Sequence, residues 1–409
     1  MSTLPPREAS DPALRIDFDI HDPGIAETVY EEYDRLRAQC PVAHSTAYDG
    51  HWVLTRYEDI HEVCRDHEVF SSESVNIPPS IGQDGGMIPL EIDPPDHTTY
   101  RRLLTPVFSP RRMAALETRI REIVGDLLDA MEGEEKIDFV TAFAKELPTR
   151  VFLALMGWPP EDAEKFHTWA DTLVVGIPGA SEEESMAARG EAAMAVYGYF
   201  SQMLDERAAD PDEERDDVTG LLIKGRFDDR ELTRHEMLNM LFLLLIGGLH
   251  TVQGQLAHSV IFFAENPGKR RELVEDPGLV ATAVEEMLRW ESAVAPARVV
   301  KRDVVMGGVR LAAGDRVLIP LGAAGRDPEK FPGADEVDLA RDPNPHLAFG
   351  AGRHRCLGSH LARVELRVAF AELHRRFPDY RLDPADPPVR HLSQVKGVER
   401  LPLLLGVSA

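Results

Sequence analysis

Cys356 lies in the run Phe349-Gly350-Ala351-Gly352-Arg353-His354-Arg355-Cys356-Leu357-Gly358, directly before an amphipathic stretch from Ser359 to Phe377. Glycines let a backbone turn sharply and approach a flat object closely. Free amides at the start of the following helix, with Arg353, His354 and Arg355, favour a thiolate over a thiol. A thiolate held this way can be a nucleophile, a redox thiol or an axial metal ligand. A buried structural cysteine beside a glycine turn is the plainer reading. Cys40 and Cys64 have no such loop and read as ordinary helix-face cysteines.

A second constellation is Leu245-Ile246-Gly247-Gly248-Leu249-His250-Thr251, in the middle of a helical stretch from Thr233 to about Asn266. Thr233-Arg234-His235-Glu236 reads as a capping box and Asn266-Pro267-Gly268 as a stop. At about 1.5 Å per residue, one helix over this span runs about 50 Å. Two adjacent glycines cost about 1 kcal/mol each relative to alanine. Paired small residues serve tight helix packing, or they let something bulky lie on the backbone and invite a kink. Thr251 shares a face with Gly247 and Leu244, which aims its hydroxyl into the space the glycines open. His250 beside it can carry protons near neutral pH.

Two charged sets complete the inventory. Glu286 and Arg289 share a helix face at i, i+3, in a helix introduced by Asp276-Pro277. Taken alone, such a pair is an ordinary surface ion pair. His97 and Arg101 share a face at i, i+4 after the helix start Asp93-Pro94-Pro95, and Arg298 follows a turn at Pro296.

The elements that must position these residues are mostly helical in period. Short strands are expected at Trp52–Thr55, Val299–Val300, Val309–Leu311, Arg316–Pro320 and Arg400–Leu405, with a turn at Ala313-Gly314-Asp315. Asp210–Asp217 is an acidic run that reads as a solvated loop, and Gly176-Ile177-Pro178-Gly179 bends the chain between two helices. The chain shows no internal repeat.

With 409 residues and 43% apolar content the chain is of the globular class. Net charge is 45 − 70 = −25, which argues against generic affinity for nucleic acid or anionic membrane. Three cysteines make no disulfide framework, so a reducing cytoplasm is expected. Met1 to Pro23 lacks the apolar core of a signal peptide. The longest apolar run, Met240 to Leu249, falls short of a membrane span.

The spacing Phe-x-x-Gly-x-x-x-Cys-x-Gly resembles the haem-binding loop of the cytochrome P450 family, in which the cysteine is the proximal iron ligand. Gly247-Gly248-Leu249-His250-Thr251 resembles that family's oxygen-binding helix motif, with His250 standing where an acid is usual. Glu286 and Arg289, 70 residues before Cys356, resemble the structural Glu-x-x-Arg pair, and Arg341 its third member. The resemblance runs from about Tyr30 to the C-terminus and looks most like the bacterial soluble members.

It implies a mainly α protein with small β-sheets, the triangular P450 fold, with haem between a long central helix and the cysteine-loop helix. It implies one catalytic domain over 1–409, with an extended segment at 1–25 and no fused reductase. Cys356 would ligate haem b iron, with Phe349, Gly350 and Gly358 around it. His97, Arg101, Arg298 and His354 would hold the two propionates. Gly247, Gly248, His250 and Thr251 would serve oxygen binding and proton delivery. Ile77, Ile81, Met87, Ile88, Val174, Leu243, Leu244, Val294, Ala295 and Val395 would line a lipophilic pocket. The implied reaction is monooxygenation of a terpenoid, steroid or macrolide-like molecule. A monomer is expected, since the sequence shows no heptad seam or sticky strand. Electrons would come from a separate ferredoxin-type donor, docking on a basic patch formed by Arg102, Arg111, Arg112, Arg353, Arg355 and Arg363. His250 motivates the alternative of oxidative coupling, desaturation or peroxide-driven oxidation.

Overall fold

Three of the β-branched runs lie side by side in one six-stranded sheet, ordered Arg15–Ile16, Val42–Ser45, His51–Leu54, Arg316–Leu318, Ala297–Val300 and Phe70–Ser71. The computed structural model describes residues 7–79, 86–177, 179–209 and 217–406. Ile81, Pro178 and all but the last residue of the 210–217 acidic run therefore lie outside the described residues. Arg298 sits in an interior strand of this sheet, opposite Val317. Val309–Leu311 is not part of that sheet; it pairs with Val304–Met306 across Gly307 and Gly308, both at positive φ. The expected single C-terminal strand is two. Gly397–Arg400 pairs with Val389–His391, and Pro402–Leu405 lies between Tyr380–Leu382 and Lys136–Asp138. The chain changes sheets at Leu401, whose amide is taken by the Asp138 carboxylate at 2.8 Å.

Apolar residues bury in two clusters, a large helical one and a smaller one around the six-stranded sheet. The capping box expected at Thr233 is present in full. Its Glu236 also accepts from the Tyr100 hydroxyl and the Arg230 guanidinium. That ties the helix Asp96–Leu104, which carries His97 and Arg101, to the start of the central helix.

The central helix is not continuous. It forms Arg234–Gly248 and His250–Glu265, separated at Leu249 with φ −95° and ψ −67°. The Thr251 hydroxyl donates to the Gly247 carbonyl at 3.0 Å, a side-chain bond that bends a helix where two glycines already weaken it. The two segments together are long and apolar enough to cross a membrane by length and composition, yet more than half of that stretch is buried by other parts of the protein. The Glu286 helix, Val280–Trp290, is preceded by a single 3-10 turn at Pro277–Leu279, with the Asp276 carboxylate accepting the Gly278 amide.

Glu286 and Arg289 are not a surface pair. Both are fully buried, and Glu286 also accepts from Arg341, Asn344 and the Asp338 amide. The Arg289 fork donates to the carbonyls of Gly325, Ala334 and Glu336. The same network fixes Gly325: a Cβ there would stand 2.1 Å from the Arg289 carbonyl oxygen. Only glycine permits that approach.

Behind the cysteine loop, Ser359–Arg376 packs on Pro110–Asp129. Its Glu365 is 2% exposed, and Oε2 has no hydrogen-bond partner among the described residues. Burial raises its pKa from 4.5 to about 8. A raised folded-state pKa gives stability that is complete below the unfolded value of 4.5 and is lost as pH climbs toward 8. Across that window the slope is about 1.4 kcal/mol per pH unit. Glu365→Gln is therefore expected to be more stable than wild type at about pH 8, and to vary less with pH between about 5 and 8. Denaturant unfolding at several pH values reads this directly; parallel curves for the two proteins would contradict it.

Candidate functional site

The loop before Cys356 is shaped by two glycines at positive φ, Gly350 at +64° and Gly352 at +69°. A Cβ on Gly352 would lie 2.7 Å from the Cys64 carbonyl oxygen and 3.0 Å from Arg65 Cα, so the loop is pressed onto the helix Tyr57–Arg65. The Cys356 amide donates to the Phe349 carbonyl at 2.8 Å and closes the loop. Cys356 has accessible surface, whereas Cys40 and Cys64 are buried.

The expected bias toward thiolate is not what the isolated loop produces. Protein still surrounds the sulfur densely, and burial pushes the Cys356 thiol up from its ordinary value. The Gly358 amide and the cations Arg101, Arg355 and Arg363 act against that push without overcoming it. A bound cation at the sulfur would reverse the balance, because coordination deprotonates a thiol.

The central helix carries an open stripe in an otherwise closed core. Met240, Leu241 and Leu245 are 0% exposed, yet Leu243, Leu244, Gly248 and Thr251 are part-exposed and Gly247 is exposed. A Cβ on Gly247 would meet nothing within 4 Å. The glycine, the leucine one turn before it and the threonine one turn after it thus share a face that is only partly covered, and at Gly247 it is bare backbone.

His250 is buried, and its Nε2 lies 3.3 Å from Asp171 Oδ1. That is ion-pair range, but the alignment does not make a hydrogen bond, and both ring nitrogens lack one. Lys145 also bonds Asp171. Against burial, which raises it, His250 and Lys145 hold the Asp171 carboxyl below its ordinary value. His250 therefore faces the helix Ala163–Val174 with a carboxylate of its own. Asp171 and Lys145 carry no motif and lie far from His250 in the chain, so sequence spacing could not single them out.

His97 and Arg101 from one helix, Arg298 from a strand and His354 from the cysteine loop come together. The rings of His97 and His354 are 4.1 Å apart. Arg101 donates to the Arg355 carbonyl and Arg298 to the Ala297 carbonyl. Burial, then Arg101 and Arg353, lower His97 to about 4. Burial, then His97 and Arg298, lower His354 to about 3. Both nitrogens of His97 and Nε2 of His354 are buried without a hydrogen-bond partner among the described residues. Orphaned donors beside two guanidinium groups are what a pair of carboxylates would satisfy. The residues present therefore fit haem: an accessible cysteine, a face of bare backbone, and a cationic cradle with unmet hydrogen bonds.

The expected pocket residues divide. Val174 is part-exposed, three residues beyond Asp171 on the same helix, and Leu243 and Leu244 lie on the open stripe. Met87 and Ile88 are buried in the helical cluster. Ile77 is fully buried in the sheet-side cluster; its amide binds the Gln394 side chain and its carbonyl faces His21. Val294 bridges to Val395, but with Ala295 it borders an interior pocket with Tyr30, Tyr33 and Lys396. Among the basic residues, Arg111, Arg353 and Arg355 are exposed, and Arg102 is exposed 3.8 Å from Asp228. Arg112 is part-exposed. Arg363 is engaged by Glu285 through two bonds of 2.7 Å and is not a free surface charge.

The family model for cytochrome P450 matches residues 182–398. The vitamin D(3) 25-hydroxylase of Pseudonocardia autotrophica is 35% identical over 91% of this chain and 93% of its own. The mycinamicin IV hydroxylase/epoxidase of Micromonospora griseorubida is 36% identical over 87% and 89%. Among solved structures, CYP109E1 from Bacillus megaterium in complex with testosterone superposes with a TM-score of 0.85 at 29% identity, covering 94% of this chain and 100% of that one.

Gly352 and Gly358 make a contrast. Gly352→Ala meets both a positive φ and a backbone contact, so a loss of about 1–3 kcal/mol is expected. At Gly358, with φ −77° and its nearest neighbour Cys356 Sγ at 3.9 Å from a Cβ, the alanine change is expected to cost under about 0.5 kcal/mol. Chemical unfolding compares the two, and equal losses would contradict the loop geometry.

Proposed function

The chain belongs to the cytochrome P450 family and is an oxidoreductase, and on that premise we propose that it is a haem-thiolate monooxygenase acting on a hydrophobic small molecule. The observation that carries the reading is the cradle of His97, Arg101, Arg298 and His354, with its unpartnered buried ring nitrogens, on the same loop as an accessible cysteine. Haem b, when bound, supplies the activation of O2 and the oxidation itself. Cys356 would ligate its iron, and the four cradle residues would hold its propionates. Phe349 and Gly350 shape the loop around the sulfur, and Gly358 aims an amide at it.

Gly247 and Gly248 keep the central helix free of side chains where substrate and oxygen must lie. Thr251 holds its hydroxyl at the helix break, bonded to the Gly247 carbonyl. His250 and Asp171 together take the place of the family's single acid. The Asp171 side chain is 39% exposed and so reaches water, while the imidazole is buried beside Thr251. A proton has a titratable group at each end of that short path.

Leu243, Leu244 and Val174 give the pocket its apolar wall, which suits a terpenoid, steroid or macrolide-like substrate. The names of the relatives support this class, since they name vitamin D(3), mycinamicin IV and testosterone. Electrons come from a separate ferredoxin-type protein. Support for that partner is the exposed group Arg111, Arg353 and Arg355 on a chain of net charge −25. A single catalytic domain accords with near full-length alignment to the relatives, and a reducing cytoplasm with three free cysteines. A second reading, oxidative coupling or desaturation, draws on the turn of His250 toward Asp171. Product mass separates the two, because insertion adds one oxygen atom and coupling or desaturation removes hydrogens.

Titrating the purified ferric protein with terpenoids, steroids and macrolides is expected to shift the main haem absorption band for at least one class. A flat response to every class would contradict the lipophilic pocket. Cys356→Ser is expected to lose the thiolate-type spectrum of the carbon monoxide complex, and an unchanged spectrum would exclude Cys356 as the ligand.

A further inference from the structure

Glu285, the neighbour of the structural Glu286, faces the cysteine loop and has no part in the haem cradle. Its carboxylate accepts a fork from Arg363, with Nε to Oε1 and Nη2 to Oε2 both at 2.7 Å. It also lies 3.0 Å from His346 Nε2. The Ala348 amide donates to His346 Nδ1 at 3.2 Å, so Nδ1 is the acceptor and Nε2 carries the proton that meets Glu285. Against burial, which raises it, Arg363 and His346 hold the Glu285 carboxyl down at about 2, so it stays ionised at any working pH.

The other face of Arg363 meets the loop. Its Cζ is 4.5 Å from the centre of the Phe349 ring, a cation–π distance. Phe349 in turn accepts the Cys356 amide through its carbonyl. The guanidinium is also one of the cations that act on the Cys356 sulfur. A negative group on the Val280–Trp290 helix thus fixes a positive group on the Ser359–Arg376 helix over the loop's aromatic ring.

We propose that Glu285 and Arg363 are a positioning pair that sets the local charge at the Cys356 ligand, and with it the potential at which the haem iron accepts an electron. The proposal rests on the haem-thiolate reading. One-electron reduction adds a negative charge to the site, so a nearby uncompensated cation favours the reduced state and an uncompensated anion favours the oxidised state. Glu285 neutralises Arg363 in the intact protein. Removing the carboxylate leaves a positive charge against the loop; removing the guanidinium leaves a negative one.

Glu285→Gln is therefore expected to raise the reduction potential of the haem-loaded protein, and Arg363→Gln to lower it. Each change is expected to be about tenfold in the oxidised-to-reduced ratio, or about 59 mV for one electron. Arg363→Lys, which keeps the charge and loses the fork, is expected to stay close to wild type. Opposite shifts distinguish this role from a structural one, since breaking a structural pair from either side moves the protein the same way. Spectroelectrochemical titration of the three variants decides it. Shifts of one sign, no shifts, or a lysine variant that moves as far as the glutamine variant would overturn the proposal. So would loss of the thiolate-type carbon monoxide band in both glutamine variants, which would assign the pair to holding the loop. Absence of that band from wild type would instead remove the haem-thiolate reading itself.

Discussion

The buried ion pair of Glu286 and Arg289 is the constraint from which the proximal half of the molecule follows. Two charges taken fully out of water are costly unless every donor and acceptor is met. Here the offsetting partners are the carbonyls of Gly325, Ala334 and Glu336, the Asp338 amide, and the side chains of Arg341 and Asn344. Those partners come from the long irregular segment that leads to the cysteine loop. Meeting the charges and placing the loop are one requirement. Removing either charge would strand the other, at a cost of about 3–5 kcal/mol for such pairs.

The distal half is governed by the opposite device, a place where packing is withheld. Met240, Leu241 and Leu245 of the Arg234–Gly248 helix are completely buried, while Gly247 is exposed and Leu243, Leu244 and Gly248 are only part-buried. The helix breaks at Leu249, where the Thr251 hydroxyl has taken the Gly247 carbonyl. Two glycines and a local side-chain bond accept a loss of helix stability so that a bare face can stand opposite the cysteine loop's function. Just past the break, the buried His250 lies 3.3 Å from Asp171, on the helix that bears Val174.

Motifs that act over a few residues were legible in the sequence. The capping box at Thr233, the break beside Gly247-Gly248 and the glycine loop all correspond to what the fold contains. Charge placement was not. The spacing of Glu286 and Arg289 alone described a surface pair; the resemblance assigned them with Arg341 to a structural network, and the structure finds the pair fully buried. Nothing along the chain marks Asp171, Lys145 or Glu285, because each meets its partner across elements brought together by packing. The bias of Cys356 toward thiolate was inferred from nearby cations, but desolvation competes with them and wins in the isolated loop. Apolar residues such as Ile77 and Ala295 could not be assigned between core and pocket by hydrophobicity, since both uses select the same side chains.

Iron K-edge X-ray absorption on the haem-loaded ferric protein tests the central claim most directly. The account predicts one sulfur among the nearest neighbours of the iron, supplied by Cys356. A first shell made only of nitrogen and oxygen would contradict it, whatever the activity of the preparation.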